Sequence, residues 1–225
     1  MPVEADLESH TSIFGRTSSG KTYLFREAIW KKTKKRIVFV NTQRELGFGP
    51  EISAHNWHIS LLTKPAARVN LVPPLLSARA NGQAATLDLC ARIVDDCIAV
   101  GNKVARDRRG LVVLAFDEAH LLSPKGSPDD PLQRVATNGN RFGIKGAFIT
   151  QRPAKLSHTV ISQSMTKVLF DLDDYEQPYL DHYAVPQGVQ EWIKAPVPNA
   201  PPGTPNRRFA VQQGKVWTRC RPYLT

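Results

Sequence analysis

An apolar run, TSIF at residues 11–14, leads directly into the loop GRTSSGKT at residues 15–22, and a helical spacing of Leu24, Phe25, Ala28 and Ile29 begins at once in KTYLFREAIWKK. Strand, glycine loop and helix in immediate succession leave few folds open. The loop fits G-x-x-x-x-G-K-[ST] through Gly15, Gly20, Lys21 and Thr22, a spacing at which backbone N–H groups wrap a polyphosphate at a helix N-terminus. On this reading Gly15, Arg16, Thr17, Ser18, Ser19, Gly20, Lys21, Thr22 and Tyr23 form an ATP cradle. Lys21 contacts the β and γ phosphates, and the Thr22 hydroxyl is a Mg²⁺ ligand.

A phosphate loop also needs a carboxylate for the metal, at the C-terminal end of a neighbouring apolar strand. The stretch GLVVLAFDEAH supplies Asp117 in that place, with Glu118 beside it suited to polarise an attacking water. The run IKGAFITQ delivers Gln151, whose amide is placed to sense the γ-phosphate or orient water. An arginine from a neighbouring subunit completes such sites; Arg141 and Arg152 are the two choices, and Arg141 is preferred.

RIVFVN and TKVLFDL read as further buried strands. Between about Asn81 and Arg106 the apolar residues Leu87, Cys90, Ala91, Val94, Cys97, Ile98 and Val104 recur with helical period, whereas the stretch after RIVFVN looks irregular. Alternation of strands and helices predicts an α/β fold with a mostly parallel sheet flanked by helices. APVPNAPPGTP, with five prolines from Pro196 to Pro205, predicts an extended linker, and RRFAVQQGKVWTRC a small hairpin turning near Gln213 and Gly214. The expected division is therefore a core at 1–195 and a proline-rich tail with a hairpin at 196–225. Trp217 implies that one hairpin face is covered. The three cysteines, Cys90, Cys97 and Cys220, lack metal-ligand spacing and read as reduced packing residues.

A length of 225 residues suits one domain and an appendage, and a net charge of +10 with a pI near 9.7 calls for a polyanionic partner. The longest clean apolar run, LVVLAF, is too short to span a bilayer, which predicts a protein without a membrane span or signal peptide.

The blocks GRTSSGKT, LVVLAFDEAH and NRFGIKGAFITQRPAKLSHTVISQSMTKVLFDL resemble the HerA/FtsK superfamily of DNA-pumping ATPases, over roughly residues 11–185. The resemblance implies a RecA-like P-loop NTPase core of the ASCE type, in which another strand separates the Walker B strand from the phosphate-loop strand. It also implies a hexameric ring around double-stranded DNA. Carried onto this chain, it makes Lys21 and Thr22 the Walker A pair, Asp117 and Glu118 the Walker B pair, Gln151 the sensor and Arg141 the finger acting in trans. The N-terminal barrel, helical insertion, membrane spans and winged helix of various relatives have no counterpart here, and VNTQREL lacks an Asp that many relatives carry. A bare core of this size is most similar to the genome-packaging ATPases of tailless, membrane-containing double-stranded DNA viruses. That implies work in the host cytoplasm or at the virion's packaging vertex, against a capsid or membrane vertex protein.

A translocase passes every sequence alike, so its DNA contacts should go to the phosphate backbone. Lys125, in the loop SPKGSPDDP, and Lys145 are the expected channel contacts. Of the basic clusters, KKTKKR at Lys31–Arg36 falls at a helix C-terminus, where the dipole favours cations regardless of DNA. Others lie at Arg106–Arg109, at Arg207 and Arg208, and at Arg219–Arg221. The DEAH string at 117–120 does not make a superfamily 2 helicase, which needs a second RecA-like domain, so His120 is read as packing or relaying contacts near the site. The competing readings are a motor for another cargo, a P-loop phosphotransferase on a small metabolite, and a non-catalytic nucleotide-binding scaffold.

Overall fold

The computed structural model describes residues 8–64, 66–73, 80–103, 112–126, 130–195 and 208–220. In chain order the strands are β1 (Thr11–Phe14), β2 (Arg36–Val40), β3 (Glu51–Ser53), β4 (Arg68–Val72), β5 (Val112–Phe116), β6 (Ile144–Thr150), β7 (Thr166–Leu169), β8 (Phe209–Gln213) and β9 (Val216–Cys220). The α-helices are α1 (Lys21–Leu24), α2 (Ala80–Lys103), α3 (Ala119–Leu122), α4 (Pro131–Asn138), α5 (His158–Gln163), α6 (Gln177–His182) and α7 (Gln187–Lys194). The strands form one sheet in the order β3-β4-β2-β5-β6-β1-β7-β8-β9. Pairing is parallel from β3 to β7, and β8 and β9 close that edge antiparallel.

Alternation along each strand feeds two cores, because successive side chains point to opposite sheet faces. Ile37 and Phe39 of β2 join one cluster with Ile13, Val113, Ile149 and Val168, while Val38 and Val40 join the other with Phe14, Leu114, Phe116 and Phe148. The first core is roofed by α1 and by its π-helical continuation Phe25–Trp30. There Phe25, Trp30, Phe39 and Phe48 form an aromatic knot with ring centroids 4.5–6.3 Å apart. Arg68 terminates this helix: its Nε donates to Trp30 O and its Nη2 to the carbonyls of Lys31 and Thr33, satisfying acceptors that the helix end leaves bare. The second core is covered by α2, α4, α5 and α6, with Cys90 and Cys97 of α2 buried in it. α4 starts at Asp130, whose carboxylate accepts from Gln133 N at 2.9 Å, with Pro131 in the first turn.

Two elements differ from the sequence expectation. The stretch after β2 that looks irregular contains β3 and β4, both parallel and on the far edge of the sheet. They escape notice because β3 has only three residues and β4, RVNLV, carries a buried Asn70 where an apolar residue is expected. The hairpin is present with its turn at Gly214, φ 59°, yet it is not detached: Val211 of β8 faces Val168 of β7, and Phe209, Val211 and Cys220 lie in the core with Ile13. Trp217 is half-buried and packs on the other cluster. The expected boundary at 195/196, the linker 196–207, the cluster Arg106–Arg109, Val104, Arg207 and Arg221 lie outside the described residues.

The aromatic knot gives a stability prediction. Phe39 is fully buried and touches three other rings, so Phe39→Ala should cost ~3–5 kcal/mol in urea unfolding, read as a lower midpoint at unchanged slope.

Candidate nucleotide site

Parallel strands all point their C-terminal ends at one edge, and the loops leaving β1, β2, β5 and β6 meet there around a cleft of about 750 Å³. β6 lies between β1 and β5, so one strand separates the Asp117 strand from the phosphate-loop strand, as the family resemblance implies. Thr17, Ser18, Gly20, Lys21, Thr22 and Tyr23 line one wall. Asp117, Glu118 and Gln151 complete the lining.

The loop is shaped by backbone that few residues tolerate. Gly20 sits at φ 106° and Ser18 at φ 62°, both left-handed. A Cβ at Gly15 would stand 2.5 Å from Ser19 Oγ and 2.6 Å from Phe170 Cβ, which requires glycine there. The loop's start is tied down, Gly15 N donating to Thr150 O of β6 and Arg16 N to Asp171 O beyond β7 at 2.7 Å. The Arg16 guanidinium also pairs with Asp171 at 2.9 Å. Lys21 is buried, and its Nζ donates to Arg16 O at 2.9 Å across the loop. Thr17 Oγ1 donates to Gln151 Oε1 at 2.6 Å, so the sensor candidate already touches the phosphate loop.

Electrostatically the site is under tension. Burial pushes the Asp117 carboxyl up to about 7, with repulsion from Glu118 and Glu45 adding to it and Lys21 only partly offsetting it. Burial likewise lowers the Lys21 ammonium, against the pull of Glu118 and Asp117. Asp117 Oδ2, Glu118 Oε2 and Ser19 Oγ are buried with no hydrogen-bond partner among the described residues. Orphaned buried oxygens of this kind are costly; a bound metal ion would satisfy Asp117, a phosphate oxygen the Ser19 hydroxyl, and a water molecule Glu118. No group of three or more His, Cys, Asp or Glu forms a metal site among the described residues, so a divalent ion here would take Thr22, Asp117 and phosphate oxygens as ligands. Glu118 adopts φ 47°, a left-handed conformation that costs about 1–3 kcal/mol for such a residue and redirects its side chain after the strand ends.

His120 is buried behind this pair. Its Nδ1 shares a 2.7 Å hydrogen bond with Thr150 Oγ1 and lies 3.2 Å from Glu118 Oε2 without forming a hydrogen bond to it. The expected relaying role therefore has a geometry.

The structure separates the two arginine choices. Arg152 follows Gln151 at the cleft edge, while Arg141 lies exposed in the turn Gly139–Phe142 before β6, at the opposite end of a seven-residue strand about 23 Å long. Lys145, near the start of β6, donates to Asn140 Oδ1, whereas Lys125 follows α3 on the nucleotide side. The two lysines proposed for DNA therefore sit at opposite ends of the sheet.

Sequence reasoning missed Gln43, Arg44, Glu45 and Leu46, which line the cleft. Asn41, at the end of β2, holds that loop: its Oδ1 accepts from Glu45 N at 2.7 Å, and its Nδ2 donates to Glu45 O and to the buried Asn70. Arg26 reaches over Tyr23 and toward Leu46 O from the helix side. A polar Asn closing an apolar strand was the available signal.

No family model matches the chain. It is 33% identical over 61 residues to the DNA double-strand break repair helicase HerA of Pyrococcus furiosus, 26% of this chain and 11% of that protein. The genome packaging NTPase B204 of Sulfolobus turreted icosahedral virus 2, solved with ATP-gammaS, superposes with a TM-score of 0.68 at 16% identity over 96% of this chain and 98% of its own. In fold the chain matches P-loop ATPases, and in short stretches of sequence it resembles helicases of the HerA type. VirB4 of Thermoanaerobacter pseudethanolicus shares this fold, with a TM-score of 0.62 at 9% identity over 96% of this chain and 89% of its own. The chain spans between 11% and 28% of the length of the curated relatives matched in sequence. No described helix is long and apolar enough to cross a membrane.

The raised Asp117 carboxyl predicts a pH signature. The folded form holds a proton that the unfolded chain releases near 3.8, so ionised Asp117 costs stability that grows as pH rises toward about 7. Nucleotide-free Asp117→Asn should therefore melt higher than wild type, by a larger margin at pH 8 than at pH 5, while losing metal-dependent hydrolysis.

Proposed function

We propose that the chain is an ATP- and Mg²⁺-dependent double-stranded DNA translocase that works as a hexameric ring and packages a viral genome into a preformed capsid. The observation that carries this reading is the near full-length match to a genome packaging NTPase, combined with a site holding both Asp117 and Glu118 together with the phosphate loop. The net charge of +10 supports a polyphosphate partner held without sequence readout. A packaging vertex in the virion, reached from the host cytoplasm, and a capsid or membrane protein as the stationary partner belong to the same proposal.

Thr17, Ser18 and the residues from Gly20 to Thr22 present backbone N–H groups to the phosphates, and Lys21 leaves Arg16 O to contact the β and γ oxygens. Thr22 and Asp117 hold Mg²⁺, which supplies charge neutralisation on the phosphates. Glu118, its carboxylate unpaired and its backbone strained toward the cleft, orients the attacking water and takes its proton. Gln151, hydrogen-bonded to Thr17, reports whether the γ-phosphate is present. Arg141 lies a strand length from its own cleft, which supports its acting on a neighbour's nucleotide, while Arg152 lines a cleft next to its own nucleotide site.

Steady-state ATP hydrolysis with and without long double-stranded DNA at low salt tests this. DNA of unrelated sequences should raise the rate several-fold, added salt should abolish the gain, and Glu118→Gln should lower kcat by roughly 10²–10⁴-fold. Hydrolysis that is indifferent to DNA yet lost in Glu118→Gln would keep the ATPase and sink the cargo. Arg141→Ala should be nearly inactive alone, but mixing it with Glu118→Gln subunits should restore part of the rate, since each supplies what the other lacks. A mixture no faster than its components would remove the trans role.

A further inference from the structure

Glu118 and Gln151 do not only line the nucleotide cleft. They also form one wall of a second, adjoining cleft of about 440 Å³, whose other side carries His120, Arg152 and Lys155. This cleft has two permanent cations and no acid besides Glu118. The turn that carries Lys155 is held by backbone pairing: Lys125 N donates to Lys155 O at 2.8 Å, and Pro124 bridges to Leu156. Among the described residues none of Arg152, Lys155 and Lys125 forms an ion pair with a carboxylate. Arg152 instead lies 5.3 Å over the Tyr175 ring. The acid next to this turn, Glu176, is buried, and its Oε2 accepts from Ala154 N at 2.8 Å. An arginine and a lysine that form no ion pair with a carboxylate, gathered at a concave site, are suited to an oxyanion supplied from outside.

The cleft is also wired to the catalytic carboxylate. Arg152 N donates to Thr150 Oγ1 at 3.0 Å, Thr150 Oγ1 shares its 2.7 Å hydrogen bond with His120 Nδ1, and that nitrogen stands 3.2 Å from Glu118 Oε2. Displacing the backbone at Arg152 moves the group that His120 holds, and with it a polar neighbour of the Glu118 oxygen that has no hydrogen-bond partner among the described residues.

We propose that this second cleft binds a phosphate of the duplex DNA backbone through Arg152 and Lys155, and that its occupancy repositions Glu118 for hydrolysis. The inference rests on the DNA-translocase reading and adds to it a place where cargo and chemistry meet. A backbone phosphate is the occupant that the unpaired cations and the charge of +10 favour, since contacts to it carry no sequence. It makes Arg152 a positioning residue as well as a DNA contact, and His120 the positioning residue between them.

Lys155 is exposed and makes no side-chain contact with the phosphate loop or the carboxylate pair, so Lys155→Gln and Lys155→Glu test the site without dismantling it. Duplex binding is measured by anisotropy over a salt series, and hydrolysis is measured with and without DNA. Lys155→Gln should weaken binding alike for unrelated sequences and reduce the salt slope by about 1. The ratio of DNA-stimulated to DNA-free rates should fall, further for Lys155→Glu, with thermal unfolding unchanged. A slope and ratio equal to wild type overturn the proposal. So does slower phosphate release with and without DNA alike, which would assign the cleft to the product, or a loss of assembly by sedimentation, which would make it a subunit contact. A wild-type protein that neither binds DNA nor responds to it overturns the translocase reading itself.

Discussion

Parallel pairing of β5, β6 and β1 is the constraint on which everything else depends. Because those three strands run the same way and lie side by side, the residues that follow each of them emerge at one edge, within reach of a single phosphate chain. The interposed β6 sets the span between the phosphate loop and the Asp117–Glu118 pair, and its own end puts Gln151 between them. No helix in the molecule could substitute for that register, since only the ladder fixes where three separate loops begin.

The site is built at a cost that the rest of the fold absorbs. Two left-handed positions in the phosphate loop, a third at Glu118 and a carboxyl driven toward neutrality by burial all oppose folding. They persist because the start of the loop is anchored to β6 and to Asp171 beyond β7, and because two cores clamp the sheet beneath it. The same features favour ligand binding: each unsatisfied oxygen and strained torsion is relieved, at least in part, when phosphate and metal arrive. His120 and Thr150 extend this tension one layer behind the carboxylates, where a second cationic cleft begins.

Much of this was legible in the chain. Gly15, Gly20, Lys21 and Thr22 stand at a spacing whose chemistry is local, and β2, β5, β6 and β7 are short apolar runs that declare themselves. β3 and β4 were not legible, because three residues make no pattern and a buried Asn70 breaks the other one; the asparagine is there to hold Asn41 and the loop above it. The hairpin is legible as a hairpin, but its place on the sheet is not, since nothing in FAVQQ says which strand its edge will meet.

The sequence by itself determined the local chemistry: a glycine loop that only small residues can form, an acid pair at the end of an apolar strand, a basic balance. Those properties follow from torsions, spacing and charge within a few residues. Tertiary structure alone decided which loops share a cleft, that Arg141 and Lys145 sit a strand length from the site while Arg152 borders it, and that Glu118 faces two clefts rather than one. Strand order is set by non-local packing between segments more than a hundred residues apart, as in β1 against β6, and no short window of the chain encodes that pairing.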